Sequence, residues 1–235
     1  MYYAEIDGHF VFASEIKSIL AFPGYERKVN QKALEQYLSF QYSPLEETFF
    51  KGIYKLMPGH MLLYKNGSYE IKTYFKPKLT PGQWNHKTNM AQLRSQLSEI
   101  LKDSVKHHML SDVEVGAFLS GGVDSGYLAS SSGADQAFTV GFDEGDRYSE
   151  VNKAAKVAEK AGLKHHVKII SKQEFWDALP DVMYHMDEPL ADASAVALYF
   201  LSKEAAGHVK VVLSGEGADE LFGGYTLSLI HISEP

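Results

Sequence analysis

The sequence predicts an α/β protein: a doubly wound parallel sheet preceded by an antiparallel, β-rich segment. Three observations carry that expectation. From about residue 90 onward, apolar strand-like runs alternate with stretches of helical periodicity, the pattern of a parallel sheet covered on both faces. Two of those runs, Val115 to Leu119 and Val209 to Leu213, end in glycine-rich turns. Before residue 76, Asp7-Gly8 and Asn66-Gly67 each separate two strand-like runs, a strong short-range hairpin signal.

Composition bounds the possibilities. The 235 residues suffice for one or two domains with real cores, and 45% hydrophobic with 23% charged residues is ordinary for a globular chain. A formal net charge of −7 argues against a nucleic-acid surface, which would show a basic patch. No apolar run approaches the ~18 residues of a membrane span, and Met1 is not followed by a signal-peptide pattern. Cysteine is absent, which excludes disulfides, thiolate metal sites and a cysteine nucleophile, and favours an intracellular, cytoplasmic setting.

In chain order, Tyr2 to Ile6 and His9 to Ala13 form the first hairpin, with a type I′ turn at Asp7-Gly8. A short helix is expected from Glu15 to Leu20, closed by Phe22-Pro23-Gly24. Asn30 suits the N-cap of a helix from Gln31 to about Phe40, with Leu34, Tyr37 and Leu38 on one face. His60 to Lys65 and Ser68 to Phe75 form the second hairpin. Residues 76–89, with two prolines, a glycine and polar filler, read as a linker between a first domain, 1–75, and a second, 90–225. Met90 to Met109 is helical, with Leu93, Leu97, Ile100, Leu101 and Val105 at spacings of three and four.

The strand Val115 to Leu119 comes next, with a helix opening at Asp124. A strand Ala137 to Phe142, a helix Ser149 to Ala161 and a strand His165 to Ile170 follow, Ser149 suiting the N-cap and Gly162 the C′ position. Ser171 and Glu174 form a capping box before further helix. Ser194 to Ala206 is a helix stopped by Gly207. No internal repeat is present.

The chemistry sits in the turns. A glycine-rich strand-to-helix turn gathers backbone N–H groups at one point, with the helix dipole behind them, and so favours an anion. Gly-Gly alone is often an empty turn, at roughly even odds. Val123 after Gly122 excludes a Walker A loop, and Val123 and Tyr127 around Ser125 exclude a nucleophile elbow. The pattern that fits is SGGxDS, Ser120 to Ser125, which resembles the pyrophosphate-gripping loop of ATP pyrophosphatases.

The second turn, Ser214 to Tyr225, reads SGEGADELFGGY and carries Glu216, Asp219 and Glu220. Carboxylates beside a triphosphate make chemical sense only with Mg2+ between them. As isolated residues they would be a solvated acidic loop; at the end of a second buried strand of the same sheet they point to a site.

Across FASEIKSIL, KLMPGHMLLYKNG, SDVEVGAFLSGGVDS, TVGFDE, YHMDEPLAD and VVLSGEGADELFGGY, the chain resembles the glutamine-hydrolysing asparagine synthetases. The resemblance implies a parallel sheet of the ATP-pyrophosphatase (adenine nucleotide α-hydrolase-like) type, preceded by part of an N-terminal-nucleophile glutaminase domain. It implies ATP-dependent conversion of aspartate to asparagine through aspartyl-AMP, with ammonia from glutamine, and ATP and Mg2+ as cofactors. Ser120, Gly121, Gly122, Asp124 and Ser125 would hold the pyrophosphate, with Asp124 on the metal. Leu119, Val140, Ser214 and Gly215 would contact adenosine, Glu216 would serve formation of aspartyl-AMP, and Asp219 would support the metal. The implied partners are small molecules, not nucleic acid or membrane, and a homodimer is one assembly open to the chain.

Departures from the family pattern set further expectations. The family's glutaminase uses an N-terminal cysteine that this chain lacks, so the polypeptide itself is not expected to hydrolyse glutamine. The hairpin start and the unmatched residues 226–235 suggest sequence missing at both ends. Gly126 stands where the family commonly has serine. The rivals are a β-lactam synthetase, a GMP or NAD synthetase, and a nucleotide-binding piece without turnover.

Other residues carry weaker signals. His107-His108 and His165-His166 are expected to point apart within each pair and not to chelate as pairs. Asp187, Glu188 and Asp192 surround Pro189, where helix termination explains the polarity as well as a site would.

Overall fold

Asp7 (φ 48°) with Gly8 (φ 77°), and Asn66 (φ 53°) with Gly67 (φ 80°), place two consecutive residues in the left-handed region, as type I′ turns require. A computed structural model describes residues 1–78, 89–143 and 150–224. The chain divides into two units: Met1–Trp84 with Leu179–Ala195, and Asn85–Ala178 with Val196–Pro235.

In the first unit, β1 (Tyr2–Ile6) pairs antiparallel with β2 (His9–Ala13), and Tyr2 opposes Ala13. α1 (Ile16–Leu20) and α2 (Gln31–Phe40) follow. Asn30 caps α2, its side-chain oxygen accepting from the backbone N–H groups of Lys32 and Ala33. The inward face of α2 centres on Ala33, Leu34 and Tyr37; Leu38, expected beside them, is 75% exposed. β3 (Ile53–Lys55) completes a sheet of order β2-β1-β3, a three-residue strand too short for its periodicity to show in the sequence. β4 (His60–Lys65) and β5 (Ser68–Thr73) form a separate hairpin. Aromatic rings join that hairpin to the sheet: Phe10 stacks on Tyr64 at 4.7 Å between centroids. Ala4, Ile6, Ile16, Ile19 and Ile53 make the core.

In the second unit, α3 (Met90–His108) precedes β6 (Val115–Phe118), α4 (Val123–Ser132), β7 (Gln136–Phe142), α5 (Val151–Ala161), β8 (Lys164–Ile170) and α6 (Lys172–Asp177). α7 (Leu179–Met186) falls in the first unit, and α8 (Ser194–Ala206), β9 (Val211–Leu213) and α9 (Ala218–Phe222) finish the described chain. All strand pairs of the four-stranded sheet β8-β7-β6-β9 are parallel. Alanines of α4 and α5 pack on one face, against Ala117, Leu119 and Ala137. On the other face, Ala205 and Leu201 of α8 pack with Phe118 and Phe138. The doubly wound architecture is therefore present.

The capping box of α6 forms in both directions between Ser171 and Glu174, and Gly162 ends α5 at φ 70°. Ser149, most of the predicted linker and the 226–235 tail lie outside the described residues. β9 starts two residues later than the apolar run, because Val209 N–H bonds back to Ala205 in the turn leaving α8. Among the described residues, no helix is long and apolar enough to cross a membrane.

Candidate active site

The strand order sets the position of the site. β6 lies between β7, which follows it, and β9, the last strand, so chain direction across the sheet reverses at the β6–β9 pair. Open α/β sheets bind ligands beyond the carboxyl ends of the strands at that reversal. Both glycine-rich loops leave those two strands.

The loop after β6 is held by its own serines. Ser120 and Ser125 hydroxyls lie 2.8 Å apart, the Ser120 N–H donates to Ser125 Oγ, and the Gly122 N–H donates to Ser120 Oγ. Gly121 has φ +81°, and a Cβ there would meet Ala154 N and Lys153 Cβ at 2.8 Å. Only glycine fits that crossing of the loop over α5. Gly122 is the N-cap of α4 and offers no side chain, and Asp124 stands exposed in the first turn. The first-turn carboxylate suits the dipole, yet it caps no backbone N–H.

The loop after β9 packs directly on this one. A Cβ on Gly215 would stand 3.2 Å from Ser125 N and 3.4 Å from its Cα. The backbones meet, and glycine at position 215 permits it. A cavity of about 470 Å³ adjoins the junction, bordered by Asp124, Ser214, Gly215 and Glu216 together with apolar residues of α3 and α4. The Tyr127 hydroxyl beside it is buried without a hydrogen-bond partner.

Of the sequence-predicted site residues, Ser120, Gly121, Gly122, Asp124 and Ser125 thus share one loop, and Ser214, Gly215 and Glu216 the adjoining one. Asp219 stands in the first turn of α9 and does not border the cavity. Leu119 is buried, its N–H donating to Phe138 O and its carbonyl accepting from Thr139 Oγ1. Val140 lies in β7, half-buried. Neither borders the cavity.

Asp187 and Glu188 are occupied elsewhere, in the first unit. Asp187 (φ 63°) accepts from the Ile16 and Lys17 N–H groups at the start of α1 and pairs with Lys17 Nζ at 2.9 Å. Glu188 accepts from Phe49 N–H and pairs with Lys55 at 2.9 Å. These carboxylates fasten residues 179–195 to the first unit, a role the sequence hid because every partner lies over 130 residues away.

The His165-His166 pair separates as expected. His165 reaches Thr139 and His166 reaches Gln136, from opposite sides of β8. His166, however, meets His208 and Glu204, which no local spacing could announce.

Comparison with known proteins finds relatives of this chain. An asparagine synthase family model matches residues 96–233, and a glutamine amidotransferase domain model matches residues 1–75. Asparagine synthetase [glutamine-hydrolyzing] 1 of Bacillus subtilis is 40% identical over 97% of this chain and 36% of its own length. A putative asparagine synthetase [glutamine-hydrolyzing] of Mycobacterium tuberculosis is 39% identical over 94% of this chain and 35% of its own. The chain thus spans little more than a third of these relatives. Among solved structures, an NH3-dependent NAD synthetase from Campylobacter jejuni superposes with a TM-score of 0.35 at 18% identity, covering 59% of this chain and 61% of that one. With both glycine-rich loops inside a matched span longer than half of the sequence, the chain belongs to the asparagine synthase family.

Proposed function

We propose that this chain carries the ATP-using part of an aspartate-to-asparagine ligase, working through aspartyl-AMP. The observation that supports it most is the packing of Gly215 against the Ser125 backbone, which joins two glycine-rich loops at the reversal of the sheet. Ser120, Gly121, Gly122 and Ser125 hold the pyrophosphate end of ATP through N–H groups and hydroxyls. Leu119, Val140, Ser214 and Gly215 flank adenosine.

Asp124 and Asp219 offer hard carboxylate oxygens in the first turns of helices that begin at the two loops. That donor set fits Mg2+, which would neutralise the leaving pyrophosphate. Glu216 borders the cavity and positions the aspartate carboxylate for attack on the α-phosphorus. The bond between that phosphorus and pyrophosphate breaks, and ammonia then displaces AMP from the acyl carbon. Glutamine is the ammonia source of the complete enzyme, and a cytoplasmic homodimer is the assembly we infer.

Aspartate-dependent exchange of labelled pyrophosphate into ATP tests the reading. Exchange that requires aspartate and falls ~100-fold or more in Glu216→Gln, about 2.7 kcal/mol, supports it. Exchange that ignores aspartate refutes it.

A further inference from the structure

At the other end of the sheet three potential ligands converge. His166 is the third residue of β8, in the amino-terminal half of its strand. Glu204 sits in the last turn of α8, and His208 follows in the turn before β9. One ligand atom from each lies within 4.8 Å of the others, and His208 Nε2 is already 3.7 Å from Glu204 Oε1. Tetrahedral ligands at ~2.1 Å from a metal stand about 3.4 Å from one another, so side-chain rotation of about an ångström closes the site.

The surroundings orient the histidine. Gln136 Nε2 donates to Glu114 at 2.6 Å, which turns its carbonyl toward His166 Nε2 at 2.8 Å. His166 Nε2 is therefore the donor, and Nδ1 keeps its lone pair. A carbonyl on the far nitrogen is the usual outer support of a metal-bound imidazole. Burial, reinforced by His208 and Lys164, pushes His166 below the ordinary imidazole value, a shift in the direction of the neutral form that ligates. Lys164 is the opposing charge, and Glu204 offsets it. The rings of His166 and His208 lie 4.0 Å apart beside Phe138, close enough that splaying them by about an ångström gives tetrahedral spacing.

We propose that His166, Glu204 and His208 bind a borderline divalent ion, Zn2+ or Co2+, which ties β8 to the turn between α8 and β9. Three protein ligands leave the fourth tetrahedral position to water. The site lies away from the glycine-rich loops, which leave the carboxyl ends of β6 and β9.

The test uses the full chain, stripped with chelator and titrated with CoCl2, then ZnCl2. One Co2+ per chain with tetrahedral visible absorption, displaced by one Zn2+, is expected. His208→Ala and Glu204→Gln should each weaken binding at least ~30-fold, whereas a His107→Ala/His108→Ala double variant should bind as the parent does. Thermal melting in chelator establishes that each variant is folded. Absence of stoichiometric binding overturns the proposal. So does binding that survives His208→Ala and Glu204→Gln, or that is lost with His107 and His108, because surface imidazoles would then be the ligands.

Discussion

Of two glycines in α4 and its loop, one is required by its surroundings and the other is not, and substitution separates them. Gly121 combines a left-handed φ with two atoms at 2.8 Å from any Cβ. Gly121→Ala should therefore cost about 2–4 kcal/mol, from strain and overpacking, seen as a lower denaturation midpoint. Gly126 is buried and helical, and its Cβ would meet only Val157 methyls at 3.7 and 3.9 Å, ordinary contact distances. Gly126→Ala should stabilise by roughly 0.5–1 kcal/mol and raise Tm by about 1–4 °C, measured by calorimetry. A lower Tm would mean that Val157 cannot accept the added methyl. The role of Gly121 was legible as part of a motif, but its reason was not: Ala154 and Lys153 lie over 30 residues away.

At the scale of elements, local chemistry was the legible part. Both type I′ turns, the Asn30 cap, the Ser171–Glu174 box and Gly162 each depend on residues within four positions, and all form as expected. What stayed hidden depends on distant partners: β3 is stabilised by pairing with β1, and Leu38 of α2 is left exposed because the burying surface lies on the Ala33 side. The Asp187 and Glu188 anchors failed to show for the same reason. The capping box also sets an acid response. Lys168 at 2.6 Å, followed by the Ser171 N–H and hydroxyl, holds Glu174 down to about 2, against 4.5 ordinarily. A depressed carboxyl contributes stability above the unfolded value, and that contribution is lost as pH falls toward the folded one. Between pH 4.5 and 2 the parent should thus lose stability more steeply than Glu174→Gln, followed by urea melts across that range. Parallel losses would show that the box has no part in acid unfolding.

For the whole molecule, alternation of strands and helices was enough to expect a doubly wound sheet, and the two loop motifs were enough to expect a site at its carboxyl edge. Strand order was not legible, because nothing in Val211 to Leu213 states that it pairs with β6. Yet that pairing brings Gly215 to Ser125. The sequence has no cysteine anywhere in 235 residues, so the purified chain should release no glutamate from glutamine above background. Glutamate release would require a nucleophile of another kind.

The central claim is that the two loops form one Mg-ATP site with Asp124 facing the metal. Calorimetric titration of ATP into the parent and Asp124→Ala, with and without Mg2+, tests it most directly. Gly122 is the N-cap and Asp124 caps no N–H, so the substitution breaks no capping hydrogen bond of the helix. With Mg2+, Asp124→Ala should bind at least ~10-fold more weakly, about 1.4 kcal/mol; without it, binding should be unchanged or tighter, since a negative charge near the phosphates is gone. Equal losses with and without Mg2+ would contradict the account.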